Sequence, residues 1–149
     1  DSTEDELIEY VKNFREAFMQ MPVSEISFPR TVKGIDKYSS SVDLYTKGTP
    51  FHVKGTIIYN SLVRDNKLER TYPIIKNNEK IKYVYLKEPN PTTDRVIAFI
   101  NSLPSEFGLD KYIDYGMQFE KAYLDPLRNV LNVIGWHYEK QASLESFFV

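Results

Sequence analysis

KIKYVYLKEPNPTTDRVIAFI (residues 80–100) is the stretch from which the fold class can be read. Lys80 and Lys82 alternate with Ile81, Tyr83 and Tyr85, the two-residue period of a strand, in residue types that favour pleated backbone. Pro89-Asn90-Pro91 turns the chain, and RVIAFI (residues 95–100) reads as the returning strand. An antiparallel hairpin is therefore predicted. Immediately upstream, FHVKGTIIYNSLV (residues 51–63) changes to helical spacing through Phe51, Gly55, Ile58 and Leu62, and Asp65-Asn66 ends it. Thr49-Pro50 supplies a cap followed by proline at the first helical position. Gly55 costs about 1 kcal/mol inside a helix, so its smallness predicts the close approach of another backbone.

Further out, the patterns are helical. Leu7, Val11, Phe14, Phe18 and Met21 form one apolar face of a first helix that Pro22 stops. VSEISF (residues 23–28) reads as a short strand, and residues 31–49 as an extended, mobile connection. Asp110 to Leu124 is predicted helical with Ile113, Met117, Phe119 and Leu124 inward. Asp125-Pro126 restarts the helix, and Leu127, Val130, Leu131 and Ile134 make its apolar stripe. The class is α+β, helix-dominated, with a small antiparallel hairpin.

The chain has 149 residues, 42% hydrophobic and 14% aromatic, which is a one-domain length with ample material for a core. It has no cysteine, which removes disulfides, thiolate zinc sites and cysteine nucleophiles together. Its two histidines, His52 and His137, are too few and too far apart for a metal cluster. No apolar run reaches membrane-spanning length, and DSTEDELIEYV lacks the features of a signal peptide, so no membrane partner and a cytoplasmic location are expected. The missing initiator Met suggests a piece of something longer.

The net charge of −2 hides a partition. Residues 1–29 carry two basic residues against seven acids, residues 30–95 thirteen against seven, and residues 96–149 four against seven. A basic centre between acidic ends suits one surface facing a polyanion, although solvated lysines scatter in the same way.

The usual catalytic sets are missing: no Gly-rich phosphate loop, no GxSxG, no HExxH. Asp110 and Asp114 share a helical spacing but read as a solvated acidic face. Two-metal chemistry wants acids on adjacent strands, and residues 80–86 and 95–100 hold none. Catalysis by this chain alone is not expected.

The most specific motif is terminal. In KQASLESFFV, Gln141, Leu144, Phe147 and Phe148 fit Q-x-x-aliphatic-x-x-aromatic-aromatic, the sliding-clamp-binding PIP-box. One helical turn puts Leu144, Phe147 and Phe148 on one side as an apolar plug, with Gln141 left for a polar subsite. The competing reading folds those rings into the domain's own core. Docking is favoured, with residues 1–140 as the domain and 141–149 as the peptide.

FHVKGTIIYN, EKIKYVYLKEPNP and HYEKQASLESFF resemble the C-terminal part of the replicative family B DNA polymerases of T-even-type bacteriophages. The resemblance runs over nearly the whole chain and is weakest at residues 30–47 and 62–78. It implies a thumb subdomain that grips primer–template duplex through phosphates and ends in a clamp-binding tail. Its partners would be duplex DNA, the sliding clamp and the remaining polymerase domains. Carried residue by residue, it implies DNA-facing roles for His52, Lys54, Tyr59, Asn60, Lys80, Lys82 and Lys87, with Lys47 and Arg64 as additions. His52 also fits a polar structural residue, and Tyr59 a core position. No Asp-Thr-Asp occurs, so the acids that hold Mg²⁺ in that family's palm are absent and no cofactor is expected here. A free-standing clamp-binding adaptor that never touches DNA is the alternative.

Overall fold

The computed structural model describes residues 2–135. Two compact units share them: residues 22–114 form one, and the described parts of Asp1–Met21 and Tyr115–Val149 form the other.

The unit of residues 22–114 is a three-stranded antiparallel sheet in the order β1-β2-β3, with β1 at Phe28–Thr31, β2 at Lys80–Tyr85 and β3 at Val96–Phe99. The hairpin read from the sequence is β2–β3, with Tyr83 opposite Ala98 and Tyr85 opposite Val96. Asn90 builds its turn: the side-chain amide donates to the carbonyls of Lys87 and Asp94 at 2.9 and 3.0 Å, and its oxygen accepts the Thr92 N–H at 2.7 Å.

The third strand departs from expectation. VSEISF does not extend; Val23–Ile26 coil into a short helix, α2 (α1 is Ser2–Phe18, described below), and the strand begins at Phe28. Pro22 stands at the helix entry, and the Ser27 hydroxyl donates back to the Ser24 carbonyl at 2.8 Å, closing the turn. Pro29 then sits inside β1, which an edge strand tolerates because the missing N–H falls where no ladder bond is needed. The connection after β1 holds a one-turn helix, α3 (Ile35–Tyr38), and a bridge between Ser39 and Tyr45.

Helix α4 (Phe51–Asp65) lies on one face of the sheet. Its cap position is Pro50 rather than Thr49, whose hydroxyl donates instead to the Thr46 carbonyl at 2.6 Å. Gly55 meets the predicted neighbour: a Cβ there would stand 3.0 Å from the Ala98 nitrogen and 3.2 Å from the Ile97 carbonyl carbon. The helix thus packs almost backbone to backbone on β3. Val53, Ile57, Ile58 and Val63 are buried with Ile81, Val84 and all four residues of β3.

In the other unit, α1 (Ser2–Phe18) buries Val11 and Phe18. Phe14, Phe18, Phe119 and Tyr123 stack into one aromatic cluster, with ring centres 4.7–6.1 Å apart. The predicted helix over 110–124 is broken. Asp110–Tyr112 is a single 3₁₀ turn, Ile113 is extended and bridges Leu86, and α5 starts only at Tyr115. Attachment to the end of β2, where the Asp114 N–H donates to the Tyr85 carbonyl at 2.9 Å, overrides local helix preference. Asp125-Pro126 does open the last helix, but by continuing helical backbone and not from a capped break. The chain runs through α5 (Tyr115–Phe119), a π turn (Glu120–Leu124) and α6 (Asp125–Val133) with helical backbone at both junctions. A proline ring collides with the carbonyl four residues back, here Ala122; the wide turn around Ala122 accommodates it. Leu131 is buried, whereas Val130 and Ile134, expected inward, are exposed.

Candidate nucleic-acid interface

Antiparallel pairing decides which side chains share a face. Tyr83 and Tyr85 contact Phe51 of α4, with ring centres at 6.0 and 4.6 Å, so odd-numbered residues of β2 point toward the helix. Phe28 pairs with Tyr83 and Arg30 with Ile81, which puts Arg30 on that same side. Lys80 and Lys82 project to the opposite face with Thr31 and Pro29, their pairing partners. The Lys82 ammonium donates to the Ser24 carbonyl at 3.4 Å on that side. Lys80 and Lys82 do share one face of their strand, as their alternation implied, but the sheet stands between them and α4.

Of the α4 residues expected at the surface, two lie inside. Tyr59 is 2% exposed, and its hydroxyl donates to the Pro73 carbonyl at 3.1 Å. Asn60 is equally buried; its amide donates to the Ile75 carbonyl at 3.0 Å, and its oxygen accepts the Ile75 N–H at 2.8 Å. Both tie the segment after α4 to the helix and face away from solvent, which corrects their assignment to a DNA-facing surface. Helical spacing alone places them on no particular face. Only the sheet on one side and the returning loop on the other bury them both.

Lys54 is half-buried and engaged. Its ammonium lies 3.6 Å from the Asp94 carboxylate and 5.3 Å from the Tyr45 ring centre. Asp94 also accepts the Tyr45 hydroxyl in a short hydrogen bond and the Arg95 N–H at 2.7 Å. Burial works to raise the Asp94 pKa, yet these donors and the Lys54 charge outweigh it and hold the carboxyl below its ordinary value. Burial, then the bond to Asp94 and its charge, push the Tyr45 phenol up to about 12.

His52 is half-buried on the first turn of α4, its ring centre 6.5 Å from that of Tyr83. Burial and then the charge of Arg30 lower its pKa. Arg30 is exposed, with its guanidinium 5.8 Å from the centre of the same tyrosine ring. Lys80 is exposed across the β1 edge, opposite Thr31. Lys87 is exposed too, but past the far end of β2, on the order of 20 Å from Lys80 at strand rise. The sequence pattern does not single out Arg30, because it predicts a strand over 23–28, whereas β1 begins at Phe28 and carries Arg30 on the α4 side. Gln141, Leu144, Phe147 and Phe148 lie outside the described residues.

Among the described residues, no three metal-ligating side chains converge, and no helix is long and apolar enough to cross a membrane.

Comparison with known proteins decides the lineage. Over 149 positions, covering 97% of the chain, it is 32% identical to the DNA-directed DNA polymerase of Enterobacteria phage T4. Over 104 positions, or 66% of the chain, it is 32% identical to the DNA-directed DNA polymerase of Escherichia phage RB69. The chain is homologous to part of the T-even phage DNA polymerases. It spans only 16% and 11% of the lengths of these two relatives. No family model matches it. The homology covers both compact units of this polymerase-related chain, so their juncture at residues 21–22 and 114–115 falls inside the shared region.

Proposed function

We propose that the chain is the thumb portion of a family B DNA polymerase, holding primer–template duplex by phosphate contacts and docking a sliding clamp through its C-terminal tail. The single observation that carries this reading is the alignment, which reaches across 97% of the chain to a DNA-directed DNA polymerase. Bond formation belongs to the rest of the polymerase. Among the described residues, no acids converge into a site that fits Mg²⁺.

The DNA contact is centred on the β1 edge. An edge strand is open to a backbone running alongside it, and Arg30 from one face and Lys80 from the other can reach around it. His52 and Lys82 stand behind them, while Lys87 lies beyond the end of β2. Contacts of this kind neutralise phosphates without reading bases, which a protein that slides over every sequence requires. The tail adds affinity by effective concentration: a modest clamp contact keeps a weak DNA grip from being lost between steps.

Titration of duplex DNA into the chain tests the grip. Dissociation constants on the order of 10⁻⁵ M or weaker are expected near physiological salt, weakening steeply as salt rises and insensitive to sequence. Replacing Arg30, Lys80 and Lys82 by Ala should reduce both affinity and salt slope. The engagement of Lys54 by Asp94 and of Lys82 by Ser24 favours the adaptor reading, in which the chain binds a clamp only. Absence of binding to duplex at low salt would establish that reading instead.

A further inference from the structure

The sheet face under the first turn of α4 gathers a compact cluster: Phe28 and Arg30 from β1, Tyr83 and Tyr85 from β2, and Phe51 and His52 from the helix. The Arg30 guanidinium and the His52 ring both lie within 6.5 Å of the Tyr83 ring, so one aromatic side chain holds a permanent cation beside a titratable one. From this arrangement we propose that Arg30 and His52 together receive one DNA phosphate, and that His52 takes up a proton as the phosphate binds, making the grip proton-linked. This rests on the DNA-binding reading above and adds to it a shared phosphate and a proton dependence that reading does not contain.

The physics follows from charges already in place. Without an anion, His52 is half-buried beside Arg30, and both features disfavour imidazolium, so the ring is neutral near pH 7. A phosphate drawn in by Arg30 reverses the local sign and favours a second cation next to it. The other charged or titratable groups nearby do not compensate. Tyr83 is a phenol raised by burial, and Arg95 sits with its guanidinium 5.8 Å from the Phe51 ring centre as a further fixed cation. On the same helix, Lys54 is engaged by Asp94. The chain has no cysteine, and its histidines are His52 and His137, so no other side-chain type ordinarily titrates between pH 5.5 and 8. If the bound phosphate raises the His52 pKa by about one unit, affinity for DNA rises up to about tenfold as pH falls through that interval.

The test uses the full chain and a short duplex at fixed salt. The imidazole proton resonances of both histidines are followed against pH with and without DNA, and a His137→Gln variant assigns them. An upward move of the His52 midpoint on adding duplex is expected, together with tighter binding at pH 5.5 than at pH 8. His52→Gln should flatten that pH dependence, and His137→Gln should retain it. Duplex binding with an unmoved His52 midpoint overturns the proton linkage and leaves the DNA-binding reading intact. Absence of duplex binding at any pH overturns both. The resonance experiment on the unaltered chain keeps the question decidable even if His52→Gln does not fold.

Discussion

Gly55 and Asn60 show how single residues fix α4 in place. A methyl group on Gly55 would press on the β3 backbone at 3.0–3.2 Å, and backbone cannot rotate aside as a side-chain tip can. Gly55→Ala should therefore destabilise by about 1–3 kcal/mol in urea unfolding, despite the gain of about 1 kcal/mol in helix propensity. Asn60→Ala strips both partners from the buried Ile75 peptide groups and should cost about 2–4 kcal/mol. Tyr59→Phe loses one bond to Pro73, about 1 kcal/mol, and should leave DNA affinity unchanged, in contrast to Arg30→Ala. A helical period of apolar residues locates α4 in the sequence, but it does not tell a buried tyrosine or asparagine from a surface one. That distinction comes from what packs on the second side of the helix.

Between elements, Asp94 is a fastening point. It gathers Tyr45 from the connection before α4, Lys54 from α4 and the Arg95 N–H at the entrance to β3. Its pKa lies below the ordinary 3.8, so the stability it lends is complete above that value and is lost as pH falls through the depressed one. Asp94→Ala should cost about 2 kcal/mol at pH 7, and the gap between variant and parent should narrow in acid, as read from thermal unfolding at several pH values. The same scale explains why elements were misplaced from sequence. The 23–28 segment has strand-like alternation over too few residues to resist a turn set by Pro22. Residues 110–114 have helical spacing but are captured by the end of β2.

At the scale of the whole molecule, the proposed DNA and clamp contacts rest on charge and on the tail. The basic residues concentrated in 30–95 belong to one compact unit, yet the sheet divides them, with Arg30 and His52 on the α4 side and Lys80 and Lys82 beyond it. Loss of Lys80 alone should lower the slope of log affinity against log salt by about one, measured by titration with duplex at several salt concentrations. Phe147→Ala together with Phe148→Ala should abolish clamp binding while thermal stability stays nearly constant. A large stability loss would place those rings in the core.

The sequence by itself determined the local patterns: a two-residue repeat for β2, an apolar run after a proline-rich turn for β3, a helical repeat for α1 and α4, and the glycine that lets α4 lie against β3. Each depends on neighbours within a few positions, where backbone geometry dictates which side chains can align. Tertiary structure alone decided that Pro29 sits in an edge strand and that Tyr59 and Asn60 are interior. It also decided that Arg30 and His52 both stand near Tyr83 while Lys82 looks the other way. Those outcomes depend on strand register and on distant segments closing over a face, and shifting the register by one residue would exchange the two faces entirely.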